Sequence, residues 1–229
     1  MENVKIIGTS HIAAQSIAEI KKYIFEEKPE IVAVELDVQR AATLFEETKR
    51  KVSLADAFKV GFKGYLFARV GQYIQQKLGK MVGVAPGSEM KTALELARKH
   101  NLEVAFIDQP IQITLRNFSR ELTWKEKWRF AADMVKGLLF PKRQLRELGL
   151  QEFDLKKVPA GEVIEKMMGQ LRKRYPNVYK TLVEDRNKYM VRKIIQLRKE
   201  NSLKKILVVV GAGHQRGMEE ILRKVDVIR

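Results

Sequence analysis

The hydrophobic pattern divides the chain into four short apolar runs separated by longer stretches with helical periodicity. The runs cover residues 4–7, 31–37, 103–107 and 206–210. They are short, rich in β-branched residues and without strict alternation, a pattern typical of strands buried on both faces of a parallel sheet. Apolar positions at helical spacing separate the first two runs, which predicts a right-handed parallel βαβ unit. We therefore predict an α/β fold whose central, mainly parallel sheet is built from both chain ends.

Helical periodicity dominates the middle of the chain. We predict a single domain over residues 1–229, in which a helical insertion at about residues 110–200 covers the carboxyl edge of the sheet and shapes access to it. Residues 53–80 carry an apolar stripe at helical spacing, and residues 176–201 are predicted as one long helix. A short edge strand is expected at residues 225–228.

Polar residues indicate where several of these helices begin. Ser16 is expected to cap the first helix and Asp37 the second, because short polar side chains accept hydrogen bonds from the unpaired amides there. Thr123-x-x-Glu126 has the spacing of a capping box. This motif predicts that a further helix opens here and continues to Phe140.

Composition narrows the chemistry that the chain can support. The 229 residues include no cysteine, which excludes a disulfide framework and a thiolate zinc site, so any metal must be held by His, Asp, Glu and water. No signal peptide precedes the first strand, and no apolar run approaches the ~20 residues that span a bilayer. We therefore expect a cytoplasmic soluble domain, which is also compatible with attachment to a membrane in a longer native protein.

The net charge of +16 favours an anionic partner, such as an acidic lipid surface, nucleic acid or an acidic protein. The basic residues are spread along predicted helices and form no Arg-rich arm or RNA-binding sheet motif, so no specific nucleic acid is expected. The helix at residues 123–140 is basic and contains Trp124 and Trp128, which suits docking on an anionic membrane surface. A lid, a homodimer face and ordinary core packing fit the same pattern.

The first and last strands end in the same motif. Gly8-Thr9-Ser10-His11 follows the first strand and Gly211-Ala212-Gly213-His214 follows the last, while the third histidine, His100, has no such setting. Ligands of open α/β sheets bind beyond the carboxyl ends of the strands. If both strands belong to one sheet, His11 and His214 lie on its functional edge. Each histidine alone is equally compatible with a structural hydrogen bond to a nearby loop.

Acidic residues also lie at predicted strand ends. Glu35 ends an otherwise apolar strand, where a carboxylate is costly unless it is paired or bound to a cation. An ion pair with Arg40 would give Glu35 a purely structural role. Asp108 follows the third strand and Glu89 begins a predicted helix, so both are further candidate acids, although Glu89 also suits the helix dipole.

Five segments, in order along the chain, carry a resemblance to a known family. They are Gly8 to His11, Val34 to Asp37 with Arg40, Pro86 to Met90, Glu184 to Met190, and Gly211 to His214. Their ordered combination resembles the TraB family, which includes PrgY-type pheromone-shutdown proteins and is grouped with the GumN and Tiki proteins. The resemblance extends over nearly the whole chain.

The resemblance implies an α/β fold and, from the Tiki branch, a metal-dependent protease activity that uses the paired G-x-x-H motifs and an acidic residue. Carried across by position, the metal ligands are His11, Glu35 and His214. PrgY-like relatives imply a small peptide signal as substrate or ligand. Two imidazoles, one carboxylate and an open position also suit a hydrolytic divalent metal, and manganese, cobalt and zinc are all compatible.

Two arginines complete the predicted catalytic set with Glu35. Arg186 is the candidate for orienting a carboxylate or stabilising negative charge, because its planar fork binds oxyanions, and Arg40 is a second candidate. We predict a metal-dependent hydrolase of peptides. Two alternatives stay open: hydrolysis without a metal, in which His11 or His214 acts as the general base, and a non-catalytic module that sequesters a peptide signal or binds a partner at a membrane.

Overall fold

A computed structural model of the chain describes residues 3–9, 13–45, 88–139 and 160–227. The described strands form one parallel sheet in the order β1-β4-β2-β3. These strands are β1 (Val4–Thr9), β2 (Ile31–Val34), β3 (Glu103–Phe106) and β4 (Ile206–Gly211). The prediction of an α/β fold with a parallel sheet made from both chain ends is confirmed.

The last strand of the chain lies inside the sheet. β4 pairs with β1 along its whole length, so that Thr9 lies level with Gly211, and it pairs with β2 on its other side. The side chains of residues 206–210 are all buried, because helices cover both faces of the sheet. Burial on two faces explains why this run has no polar alternation.

Helices account for most of the remaining described structure. Those on the first part of the chain are α1 (Ala13–Glu27), α2 (Val38–Phe45), α3 (Ser88–Lys99), α4 (Ile111–Glu121) and α5 (Trp124–Leu139). They are followed by α6 (Ala160–Arg174), α7 (Pro176–Tyr179), a π-helix (Lys180–Glu184), α8 (Asp185–Glu200) and α9 (Ala212–Val227). Of the helices that the structure describes, none is both long and apolar enough to cross a membrane.

Alternate residues of β4 pack into two separate cores. Its even-numbered residues contact Met190 of α8 and Met218 of α9, and its odd-numbered residues pack with Ile20 of α1 and Ala93 of α3. All four of these helix residues are fully buried. The sheet is therefore held between two helical layers, with its carboxyl edge left for polar residues.

Two local predictions are wrong. α1 begins at Ala13, closer to the preceding strand than the polar pattern indicated, so Ser16 is a buried residue inside the helix and not its cap. Residues 225–227 continue α9, whose last turn is joined to α8 by an ion pair between Asp226 and Arg198 at 2.8 Å. The helix predicted over residues 176–201 is present from residue 176 to residue 200, and it contains the π-helix as a feature that was not predicted.

Two predicted helix starts are confirmed. Asp37 Oδ1 accepts hydrogen bonds of 2.9 Å from the amides of Gln39 and Arg40 at the start of α2. At the start of α5, the Glu126 amide donates to Thr123 Oγ1 and the Thr123 amide donates to Glu126 Oε2, both at 3.3 Å. The latter exchange is the reciprocal pattern of a capping box. The helix predicted at residues 53–80 lies outside the described residues.

Candidate functional site

The carboxyl edge of the sheet brings together several of the predicted site residues. β2 leads directly to Glu35, β3 leads to Asp108, and β4 ends at Gly211, after which His214 lies in the first turn of α9. His11 follows β1 but lies outside the part of the chain that the structure describes. Since β1 is the neighbour of β4, its end at Thr9 lies beside Gly211.

Arg186 of α8 joins two of these acidic side chains. Its Nε donates to Asp108 Oδ1 at 3.0 Å and its Nη2 donates to Asp108 Oδ2 at 2.6 Å, which is a bidentate pair. The same Nη2 also donates to Glu35 Oε1. The side chains of all three residues are largely buried. The guanidinium is therefore the counter-ion of both carboxylates.

Glu35 has a second fixed contact on its other oxygen. The Gly211 amide donates to Glu35 Oε2 at 2.7 Å, so the end of β4 holds the carboxylate that follows β2. This bond comes from sheet geometry, because the amide of Glu35 itself continues the ladder by donating to the Val209 carbonyl. Both Glu35 oxygens are thus engaged, one by backbone and one by Arg186.

His214 is oriented by Asn187, the residue that follows Arg186. The distance between His214 Nδ1 and Asn187 Oδ1 is 2.7 Å. An amide oxygen only accepts hydrogen bonds, so Nδ1 carries the proton and Nε2 presents its lone pair. The His214 Nε2 atom lies 3.1 Å from Arg186 Nη1 and 3.3 Å from Glu35 Oε1.

Burial keeps the His214 imidazole neutral. Loss of solvent lowers the pKa of His214, and the positive charge of Arg186 lowers it further, whereas Glu35 and Asp108 act in the opposite direction without reversing the shift. A neutral imidazole with a defined tautomer is the form required for a metal ligand or a general base.

Gly217 makes room for the Asn187 side chain. Gly217 belongs to α9, and a Cβ atom at this position would overlap the side-chain amide of Asn187. α9 therefore contributes His214 and, one turn further on, the space that its hydrogen-bond partner occupies. The sequence indicated Asn187 only as part of the segment from Glu184 to Met190, and it contained no direct signal for the role of Gly217.

The π-helix immediately precedes the two α8 residues of the site. It covers Lys180–Glu184, and the carbonyl of Leu182 within it accepts a hydrogen bond of 3.2 Å from Arg186 Nη1. Such wide turns shift the register of the following helix and occur frequently at functional sites. The Arg186 side chain therefore binds the π-helix carbonyl of Leu182 and the carboxylates of Glu35 and Asp108 at the same time.

Arg40 does not form the ion pair with Glu35 that was considered from the sequence. Its Nε donates to Asp37 Oδ2 at 2.7 Å and its Nη2 donates to Asp108, whereas Glu35 is paired with Arg186. Asp108, considered a further candidate acid, is thus the central carboxylate that connects both arginines. With His214 neutral, the described residues of this cluster have a net charge of −1. They comprise three carboxylates (Glu35, Asp37 and Asp108) and two guanidiniums (Arg40 and Arg186).

Glu89, the remaining candidate acid, and His100, the third histidine, lie elsewhere. Glu89 is buried in the first turn of α3 beside Ser88, and among the described contacts none joins it to Arg186. His100 follows the other end of α3, where its ring meets Phe25 edge-on with centroids 5.1 Å apart. A structural role for His100 agrees with this position.

The donor geometry at His214 and Glu35 is compatible with a divalent metal. Two bonds of ~2.1 Å that meet at a tetrahedral angle place their donor atoms about 3.4 Å apart, close to the 3.3 Å between His214 Nε2 and Glu35 Oε1. The Asn187 contact on Nδ1 matches the support that metal-binding histidines receive. Within the described residues, no group of three or more histidine, aspartate or glutamate side chains is placed to hold a metal ion.

Acid is expected to weaken the domain through Asp108. Burial alone would raise the pKa of Asp108, but the hydrogen bonds and charges of Arg186 and Arg40 together lower it. A carboxyl group with a lowered folded-state pKa contributes stability above its unfolded pKa of about 3.9, and this contribution is lost as the pH falls through the folded value. The free-energy difference between the native protein and Asp108→Asn should therefore shrink below pH ~4, measured by urea denaturation over a pH series. A constant difference would contradict the assignment.

The fold and this cluster define an α/β protein with a His–Glu–Arg–Asp site at the carboxyl edge of a parallel sheet. A family model described as TraB/PrgY/gumN matches residues 2–226. The chain belongs to the TraB/PrgY/gumN family, which confirms the resemblance of its motifs.

Relatives of the chain occur in archaea and in mammals. It is 34% identical over 229 residues to an uncharacterized protein of Methanocaldococcus jannaschii, covering 98% of the present chain and 54% of the relative. It is 26% identical over 250 residues to the TraB domain-containing protein of Mus musculus and 25% identical over 249 residues to that of Homo sapiens, covering 95% of the chain and 62% of each relative. The chain thus spans between half and two thirds of the length of these relatives.

Proposed function

We propose that this domain is a metal-dependent hydrolase of peptides and that His11, Glu35 and His214 hold the metal. The observation that carries the proposal is the placement of His214 Nε2 and Glu35 Oε1 3.3 Å apart at the carboxyl edge of the sheet. The net negative charge of the surrounding His–Glu–Arg–Asp cluster favours the binding of a cation there. The substrate class rests on the family resemblance to PrgY-type proteins.

The residues of the chain have separate roles in this proposal. Asn187 keeps the His214 lone pair pointed at the site, and the Gly211 amide fixes Glu35. A bound divalent metal would lower the pKa of a water molecule and polarise the amide carbonyl. Arg186 can release Glu35 and remain paired with Asp108, since it already has two bonds to that carboxylate. From there its guanidinium would stabilise developing negative charge.

Metal binding tests the proposed ligands. Chelator-treated protein is expected to bind one manganese, cobalt or zinc ion per chain, and His11→Ala, His214→Ala and Glu35→Gln are each expected to lose it, because each removes one donor. Isothermal titration calorimetry measures the binding, and mass spectrometry of a peptide mixture detects cleavage.

His100→Ala is the matched control, since it removes the third histidine at a position away from the carboxyl edge. It should bind metal like the native protein. Full metal occupancy in both His11→Ala and His214→Ala would contradict the proposal. Cleavage that resists chelators would instead support His214 as a metal-free general base.

A non-catalytic peptide-binding module is the competing function, and one observation favours it. Both oxygens of Glu35 are already satisfied by Arg186 and the Gly211 amide, as in a structural ion-pair network. This function predicts peptide binding that survives Glu35→Gln without any product. A peptide that is bound and cleaved by the native protein but only bound by this variant would exclude it.

A further inference from the structure

Helix α5 directs its acidic side chains inward. Glu126 accepts hydrogen bonds from the amide and the side chain of Asn177, at 2.8 and 2.9 Å. Two turns further along the same face, Asp133 pairs with Arg174 and accepts a hydrogen bond from the Tyr175 hydroxyl. These contacts attach α5 to the end of α6 and the start of α7 through polar groups.

The outward face of α5 carries its tryptophans. Trp124 is 69% exposed and Trp128 is 72% exposed. Residues four positions apart lie on the same helical face, one turn from each other, so the two indoles form one apolar surface. Large aromatic side chains at such exposure mark an interaction surface more often than isolated small apolar residues do.

The exposed charges that α5 itself places beside these indoles are positive. Lys125 and Lys136 are exposed on α5, and Lys127 Nζ lies 4.7 Å from the centre of the Trp124 ring. Both acids of the helix, Glu126 and Asp133, are engaged on the inward face, so none of the described α5 carboxylates opposes these lysines on the outside. The surface is therefore apolar at its centre and cationic around it.

We propose that this face of α5, comprising Trp124, Lys125, Trp128 and Lys136, docks on the surface of an anionic phospholipid bilayer. Indole rings insert at the headgroup level, where their apolar body and N–H group are both accommodated, and lysines attract acidic headgroups. The net charge of +16 adds a long-range attraction to the same surface. Docking is independent of the proposed hydrolysis, because α5 contributes no residue to the His214 cluster.

Intrinsic fluorescence reads this surface selectively, because Trp124 and Trp128 are the two tryptophans of the chain. Adding phosphatidylcholine vesicles that contain phosphatidylglycerol is expected to shift the emission to shorter wavelength. Brominated acyl chains should quench it, since the indoles enter the interface. Vesicles of phosphatidylcholine alone should produce a much smaller change.

Charge variants separate this docking from general attraction. Lys125→Glu/Lys136→Glu is expected to weaken vesicle binding by more than about fivefold at each position, because loss of the lysine charge alone accounts for about fivefold and the new carboxylate is repelled by the acidic headgroups. Lys21→Glu/Lys199→Glu changes the net charge equally on exposed positions of α1 and α8, and it should bind nearly as the native protein does. In co-sedimentation, Trp128→Ala should reduce binding, whereas Leu203→Ala, at a residue that is 92% exposed, should not.

Four outcomes would overturn the proposal. The first is an unchanged emission spectrum with anionic vesicles, and the second is equal binding to neutral and anionic vesicles. The third is a spectral shift that appears with rising protein concentration in the absence of lipid, which would identify the face as a contact between copies of the chain. Equal weakening by the two charge pairs would also contradict a role for this particular face.

Discussion

Arg186→Ala is expected to lower the free energy of unfolding at pH 7 by about 3–5 kcal/mol, the cost of removing one partner from a buried ion pair. The substitution leaves Glu35, whose side chain is 11% exposed, without its counter-ion, and Asp108, at 1%, with Arg40 alone. The protein must then keep an uncompensated charge out of water or protonate it. Urea denaturation of the native and variant proteins measures the loss.

Arg40→Ala is the matched control for this prediction. It also removes a guanidinium that pairs with Asp108, but its side chain is 31% exposed and Asp108 keeps both bonds to Arg186. Its effect should be about 1 kcal/mol, because water screens a partly exposed pair. If Arg40→Ala costs more than Arg186→Ala, the network is centred on Asp37 and Asp108 and not on Arg186.

Partial recovery of Arg186→Ala stability by a divalent metal would indicate that the cation replaces the guanidinium.

Gly217→Ala is expected to disturb the site strongly although the change is a single methyl group. The added Cβ would displace the Asn187 amide and so release His214 Nδ1 from its partner. Losing such a supporting contact typically costs about 10–100-fold in metal affinity. Nitrogen chemical shifts of the His214 ring, measured by NMR, report the tautomer directly and do not depend on activity. An unchanged His214 spectrum would contradict the role of Gly217.

Stability measurements distinguish the effect of the steric overlap with Asn187 from the effect of alanine on helix propensity. Alanine in place of glycine inside a helix stabilises it by about 1 kcal/mol when nothing interferes. Gly169→Ala in α6 meets no atom within 4 Å and should show this gain, whereas Gly217→Ala should be destabilising. In Asn187→Ala/Gly217→Ala, the overlap is removed. We expect this double variant to recover stability while the His214 tautomer remains disturbed.

The strands and several helix starts could be predicted from the sequence because their signals are local. The run at residues 206–210 is fully buried in a parallel sheet, and Asp37 and Thr123 cap the helices that follow them. The α9 end was predicted wrongly because Val225 and Val227 have high strand propensity. In the folded chain, the preceding helical pattern and the Asp226–Arg198 ion pair outweigh that propensity.

The site could be predicted only in part, because its contacts depend on register between distant helices. An acid at a strand end indicated Glu35 and Asp108 individually, but Arg186 reaches Glu35 across 151 residues of sequence. Arg186 also donates to a carbonyl of the π-helix that precedes it, and helical periodicity cannot detect this π-helix since the same residues also suit an α-helix. The predicted ligand set of His11, Glu35 and His214 stays a prediction, with two of its three members placed next to each other.

The position of β4 between β1 and β2 delays completion of the domain during synthesis. β1 leaves the ribosome about 200 residues before the strand that pairs with it. At ~5–20 residues per second this interval is about 10–40 s, during which the hydrogen-bonding edge of β1 lacks its native neighbour. A nascent chain that has not yet reached β4 carries Glu35, Asp108 and Arg186 but lacks His214 and the amide of Gly211. The growing polypeptide therefore has the acids of the cluster long before it has the imidazole, and the cluster is complete only after the sheet closes.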